Sequence, residues 1–347
     1  MMRGSNDRGN GAAMKLAVSL RPGEAPSDVR ASAGPDFTLL ARFVQKAEAA
    51  GLDMVLLADS APVAGGPSNS QVPFESTTLL AALATVTSKI GLVAAASTVA
   101  HLPYNLARRF ASLDVISHGR AGWHATMVPD PPEAANFSRQ EGFSRDDFRR
   151  RAEEFIGIVQ GLWRGWDADA LLFDQHGGRF FDPEKMHLLD HKGEFFSVRG
   201  PLNVARSPQD TPVLVLSGLS GPDMDIGARV ADVILLDEPL VAGAKADDLK
   251  RHAVAFGRNP GAIKVLMNVA PGAEMAARPD VIADRLEESF RSNCCDGFNI
   301  LMPPLESVLD DFVDLVLPKL RRRGLVHPDY RNAALRSHLG LAGEEGR

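Results

Sequence analysis

A closed (β/α)8 barrel is the fold predicted for this 347-residue chain, on three observations. Short apolar runs rich in β-branched residues alternate with longer amphipathic stretches, the sign of parallel βα units. Such runs recur eight times, at 15–20, 54–58, 90–96, 121–127, 213–217, 232–236, 263–268 and 298–302. No GxGxxG turn follows the first of them, which argues against an open dinucleotide-binding sheet.

The elements follow in order. Lys15–Leu20 is the first strand, and 37–51 a helix closed by Gly51. The second strand, 54–58, ends on Asp59; a helix over 77–88 leads to the third, 90–96, which ends on Ser97 and Thr98. Pro103 opens a helix to about Ile116, and Gly119 punctuates before the fourth strand. Phe148, Ala152, Phe155, Val159 and Leu162 share one helical face. The stretch from about 164 to 211 is too polar and too rich in Gly and Pro to be a helix of the repeat. It reads as an excursion from the barrel, where such frameworks keep specificity. Pro212 to Leu216 is then a buried strand running into a turn at Ser217, Gly218 and Ser220. The domain limits are a disordered lead-in over 1–13, one barrel domain over 14–341, and a short tail over 342–347.

Composition narrows the function. With 45% hydrophobic and 24% charged residues, the chain is an ordinary globular protein. No run of about 18 apolar residues exists, so no membrane helix is expected. A net charge of −6 without a dominant basic block disfavours nucleic acid. The adjacent Cys294 and Cys295 have no metal spacing around them and suit a reduced, cytoplasmic protein.

Barrel enzymes hold their chemistry at the C-terminal ends of the strands. Here that set is Asp59, Thr98, His124, Ser217, Ser220 and Asp237, rich in hydroxyls and without paired acids or clustered metal ligands. Such a mouth suits a phosphorylated cofactor that itself carries the hard chemistry. Apolar neighbours at Met127, Val128 and Leu219 point to a neutral substrate.

Three blocks, at 74–123, 179–209 and 296–341, resemble the bacterial-luciferase-like flavin monooxygenases. The nearest group is that of the nitrilotriacetate and dibenzothiophene-sulfone monooxygenases. The resemblance implies a dimeric barrel, joined through the helices at 74–88 and 103–117, that takes reduced FMN from a separate flavin reductase. With molecular oxygen, it would oxygenate a small organic substrate. Carried over by motif, Asp59 in LLADS and Thr98 in AAASTV match flavin-contacting positions, and Ser220 in LSGLSG matches the serine of the phosphate loop. Ser220 equally suits a helix N-cap.

The departures are as informative. SRDDFRRRAEEF puts Arg145 and Arg149 where the group has a phosphate-gripping histidine and tyrosine. Arginine can hold phosphate through two charge-assisted bonds; the alternative is a solvated face paired with Asp146 and Glu153, as expected for Arg150 and Arg151. In GRAGWHATMVPD, His124 replaces an asparagine and is the candidate catalytic residue, as a hydrogen-bonding group or an acid near neutral pH; the alternative is a packed barrel histidine. His101 could line the mouth, whereas His118, His187 and His191 read as loop or surface residues. The segment after the first strand lacks the group's histidine and tryptophan, and 269–279 is markedly shorter than the group's excursion over the mouth. Three functions follow: an FMN monooxygenase first, then a deazaflavin- or FMN-dependent oxidoreductase without oxygen insertion, then a non-catalytic flavin-binding paralogue or partner subunit.

Overall fold

A computed structural model describes residues 13–20, 36–57, 74–137, 142–237, 239–270, 274–303, 306–327, 329–330 and 334–341. The lead-in up to residue 12, the segment 21–35, Asp59 and the tail 342–347 lie outside the described residues.

Eight parallel strands close into the expected barrel. They are β1 (Lys15–Leu20), β2 (Met54–Leu57), β3 (Gly91–Ala95), β4 (Ala121–Thr126), β5 (Val213–Ser217), β6 (Val233–Leu236), β7 (Lys264–Val269) and β8 (Gly297–Met302). β8 closes on β1, with Ala17 beside Asn299 and Ser19 beside Leu301. The outer helices needed below are α1 (Phe37–Ala49), α2 (Ser76–Ala84), α3 (Pro103–Ile116), α4 (Arg145–Trp163) and α5 (Asp223–Val230).

Strand alternation divides the core in two. Ala17, Met54, Leu56, Val93, Val213, Val215, Val233, Leu235 and Leu266 fill the barrel, and Leu335 and Leu339 of the C-terminal helical turn plug its N-terminal end. The opposite faces, Trp123 and Ala125 among them, pack against the helices, where Trp123 meets Phe110, Phe155 and Trp163. Inside the barrel Gly122 is required, because a Cβ would lie 2.9 Å from Val93.

An unforeseen repeat stitches the barrel floor. Asp53, Asp232 and Asp296 each precede a strand and accept the N–H of the neighbouring strand, from Leu16 (2.7 Å), Leu214 (2.8 Å) and Val265 (2.9 Å). These N–H groups at strand starts would otherwise go unpaired in a partly buried layer.

α2 ends at Ala84 rather than Ser88. The hydroxyls of Thr85 and Thr87 bond back to Ala82 and Leu83, and the buried Arg120 guanidinium takes the carbonyls of Ala84, Thr87 and Ile90. Those donors replace the helical N–H groups that would have continued the helix. A short helix at Pro131–Ala135, capped by Asp130, was not expected.

The excursion contains two small hairpins, 171–181 and 191–198. Glu154 of α4 pins the second, accepting from Phe195 N and Phe196 N and meeting His191 Nε2, all at 2.9 Å. The far end is bolted by the buried Asp114, which accepts from Ser207 Oγ and Gln209 Nε2, both at 2.7 Å. Ala84, Ala107 and Ala111 pack into their own barrel rather than outward, leaving Ala81 and Ala82 half-buried on that face. Among the described residues, no helix is long and apolar enough to cross a membrane.

Candidate functional site

Ala17, Val215 and Leu235 face the barrel interior, so Ser19, Ser217 and Asp237, two residues further along their strands, face the mouth. His124, two past Gly122, joins them. Its Nε2 lies 2.8 Å from Ser217 Oγ on the neighbouring β5, two positions beyond its register partner Val215. The ring edge is partly accessible, yet the atoms packed around it push its pKa down from 6.5 to about 4. Burial disfavours the charged imidazolium. His124 is therefore neutral across physiological pH, and the expected role of an acid near neutrality gives way to that of a neutral hydrogen-bonding group.

Ser220 and Arg145 are brought together. α4 starts at Arg145, capped by Ser144 on Asp147 N, and this aims the Arg145 guanidinium at Ser220 Oγ, to which its Nη2 donates. The same Nη2 lies 3.6 Å from the carboxylate of the buried Asp223. Ser220 is not the N-cap expected of it. α5 begins at Asp223 after Pro222, and Ser220 instead opens the preceding turn, its carbonyl accepting Asp223 N at 3.1 Å. Gly218 and Gly221 flank this loop with φ of +69° and +52°, a left-handed conformation open to glycine.

Arg149 stays one turn away, its closest anion Asp146 at 3.7 Å. Glu153, the other expected partner, pairs instead with Arg229 at 2.9 Å. Arg150 bonds Asp147 and Glu194 on the surface, as expected. Arg151 does not share that solvated role: its guanidinium lies between the rings of Phe143 (5.3 Å) and Phe196 (4.7 Å) and donates to the Thr98 carbonyl. Thr98 itself is buried at the end of β3. Arg151 thus ties the Thr98 loop to the excursion hairpin.

His101 turns away from the mouth. Its Nδ1 meets Ser97 O at 2.9 Å and its Nε2 meets Arg109 at 3.3 Å, in a cleft with Glu75, Thr77 and Phe137 between α2 and α3. His187 pairs with Asp167 on the surface, whereas His191 is half-buried against Glu154.

Sequence reasoning missed the mouth's polar ladder. Ser19 Oγ donates to Asn299 Oδ1 at 3.0 Å, Asn299 Nδ2 to Asn268 Oδ1 at 2.7 Å, and Asn268 Nδ2 to Asp237 Oδ1 at 2.5 Å. The available signal was an asparagine breaking two otherwise apolar strands, LMNV and GFNILM. Among the described residues no group of His, Cys, Asp and Glu is placed to hold a metal.

The luciferase-like monooxygenase family pattern matches residues 14–288. Nitrilotriacetate monooxygenase component A of Aminobacter aminovorans is 33% identical over 412 positions, covering 88% of this chain and 90% of that protein. That alignment is longer than the chain, so the relative carries segments without a counterpart here. A subunit of the pristinamycin IIA synthase of Streptomyces pristinaespiralis is 37% identical over only 318 positions, covering 90% of this chain and 93% of that protein. Among solved structures, the EDTA monooxygenase of Chelativorans sp. BNC1 superposes with a TM-score of 0.83 at 26% identity, over 95% of this chain and 98% of that one. Barrel closure, the matched pattern and these relatives place the chain in the luciferase-like monooxygenase family, as a flavin-dependent oxidoreductase.

Proposed function

We propose that this chain is the oxygenating component of a two-component system, receiving reduced FMN from a separate flavin reductase and using molecular oxygen to oxygenate a small organic substrate. The observation that carries the reading is the Arg145–Ser220 contact at the loop after β5. A guanidinium and a hydroxyl beside two left-handed glycines form a donor set that fits a phosphate. Arg145 offsets the nearby Asp223 charge, and Arg149, on the same side of α4 and only loosely paired, would supply the second positive charge. The name "component A" of one relative supports a divided system.

In this reading Ser220, Arg145 and Arg149 hold the phosphate, while Asp59, Thr98 and His124 border the ring. Reduced FMN, when bound, supplies the electrons that activate oxygen. The chain binds, orients and shields. Neutral His124, held by Ser217, offers a hydrogen bond without adding charge to the mouth. Arg151 fixes the Thr98 loop on which the ring would rest. The working form is a homodimer of single-domain chains (14–341) in the cytoplasm, and light scattering that gives a clean monomer at micromolar concentration would count against the dimer.

Anaerobic titration with reduced FMN and reduced riboflavin tests the cofactor assignment. Tight FMN and weak riboflavin binding support the phosphate site; equal affinities, or none, overturn it.

A second reading makes the chain the shorter member of a heteromeric monooxygenase. It is favoured by the 318-position alignment to a synthase subunit, set against 412 positions for the nitrilotriacetate enzyme. FMN binding only after mixing with a longer member of the family would support it, and tight binding by the isolated chain favours the first reading.

A further inference from the structure

The barrel mouth divides into two chemically different halves. The candidate cofactor residues lie on or after β2 to β5, which are contiguous in the barrel: Asp59 follows β2 in sequence, Thr98 follows β3, His124 is on β4, Arg145 and Arg149 are on α4 between β4 and β5, and Ser220 follows β5, which ends at Ser217. The remaining contiguous strands, β6, β7, β8 and β1, carry the ladder Asp237–Asn268–Asn299–Ser19. Ser19, Asn268 and Asp237 each stand two residues beyond a residue that fills the barrel, Ala17, Leu266 and Leu235, and Asn299 links Ser19 to Asn268.

The ladder has a direction. The hydroxyl of Ser19 donates to Asn299, the Asn299 amide to Asn268, and the Asn268 amide to one oxygen of Asp237. Asn299 is only 1% exposed, so the relay is anchored in the wall, while Asp237 stands exposed at its end. No lysine or arginine among the described residues pairs with Asp237. A carboxylate held by one oxygen, with no cation on it among the described residues, is an acceptor oriented toward whatever enters the mouth. Its amide partner fixes the group in place, which lowers the entropy lost on binding.

We propose that Asp237 is the substrate-recognition residue of this chain and that the substrate presents a protonated amine to it. The inference rests on the flavin reading only for which half of the mouth the cofactor takes. It replaces the neutral substrate suggested by Met127, Val128 and Leu219, since Val128 and Leu219 belong to the β4–β5 side. Asp237 accepts the ammonium N–H on its free oxygen, Asn268 keeps the carboxylate from turning, and the apolar part of the substrate extends toward β4 and β5.

Isothermal titration of the full chain with benzylammonium, benzyl alcohol and benzoate tests the assignment without flavin. A charge-assisted bond predicts about tenfold tighter binding of the ammonium than of the alcohol, with benzoate weakest and the preference shrinking as salt rises. In Asp237→Asn the amide oxygen can still accept from Asn268, so melting should be unchanged while the ammonium preference disappears. A preference that survives in Asp237→Asn, or none in the native chain, overturns the proposal. Repeating the titration with FMN present separates the two readings. Simultaneous binding supports the division of the mouth, and displacement of the amine by FMN overturns it. If FMN fails to bind at all, the cofactor assignment falls and the ammonium preference stands.

Discussion

Replacing His124 with glutamine should flatten one part of the stability profile. The folded chain holds this ring at a pKa of about 4 against an ordinary 6.5. That difference corresponds to roughly 3 kcal/mol of preference for the neutral form. The unfolded chain takes up the proton first, so the native state keeps its full stability above pH 6.5 and loses it as pH falls toward 4. At about pH 5 the loss is already about 2 kcal/mol by the same linkage. Glutamine can still reach Ser217 Oγ but does not titrate, so His124→Gln should lack this loss. Urea unfolding of both proteins across a pH series reads it directly. The gap between native and variant should close by about 2 kcal/mol from neutral pH to about pH 5. Parallel profiles would refute the claim that burial holds His124 neutral.

Asp53 works in the opposite sense: burial raises it from 3.8 to about 6, so its protonated form favours the fold and stability is lost as pH rises through that interval. Asp53→Asn keeps an acceptor for Leu16 N and should steepen the acid loss left by His124, adding about 3 kcal/mol at neutral pH, the attraction of Lys15 being already contained in that pKa; an unchanged pH profile counts against it. Glu154→Ala strands the N–H groups of Phe195 and Phe196, with an expected loss of about 2–4 kcal/mol and faster hydrogen exchange confined to the 191–198 hairpin. Uniform exchange would deny Glu154 its anchoring role. Arg145→Glu should weaken FMN binding by more than about tenfold while leaving riboflavin unaffected, since the site is argued to grip phosphate alone. Equal losses for both flavins would move the phosphate elsewhere.

The order of strands and helices was legible because it depends on short-range periodicity. A run such as VLVLS must be buried on both faces, and Phe148, Ala152 and Phe155 must share one side of a helix. The excursion was equally plain, since its polar, Gly-rich composition cannot continue the repeat. Residues beside strand ends could be placed at the mouth for the same reason, and Arg145 and Ser220 do meet there although 75 positions separate them. Partner choice was not legible. Arg149, Arg150 and Arg151 read alike in sequence, yet one faces Asp146, one pairs on the surface and one is clasped by two rings near Thr98. Ser19 and Asn299 lie 280 positions apart and become neighbours only because the eighth strand closes on the first. Local sequence therefore determined the elements and the end of the barrel that faces the mouth. Tertiary closure decided the protonation of His124, the grip of Arg151 and the ladder that ends on Asp237, because hydrogen bonding and desolvation depend on which distant strands become adjacent.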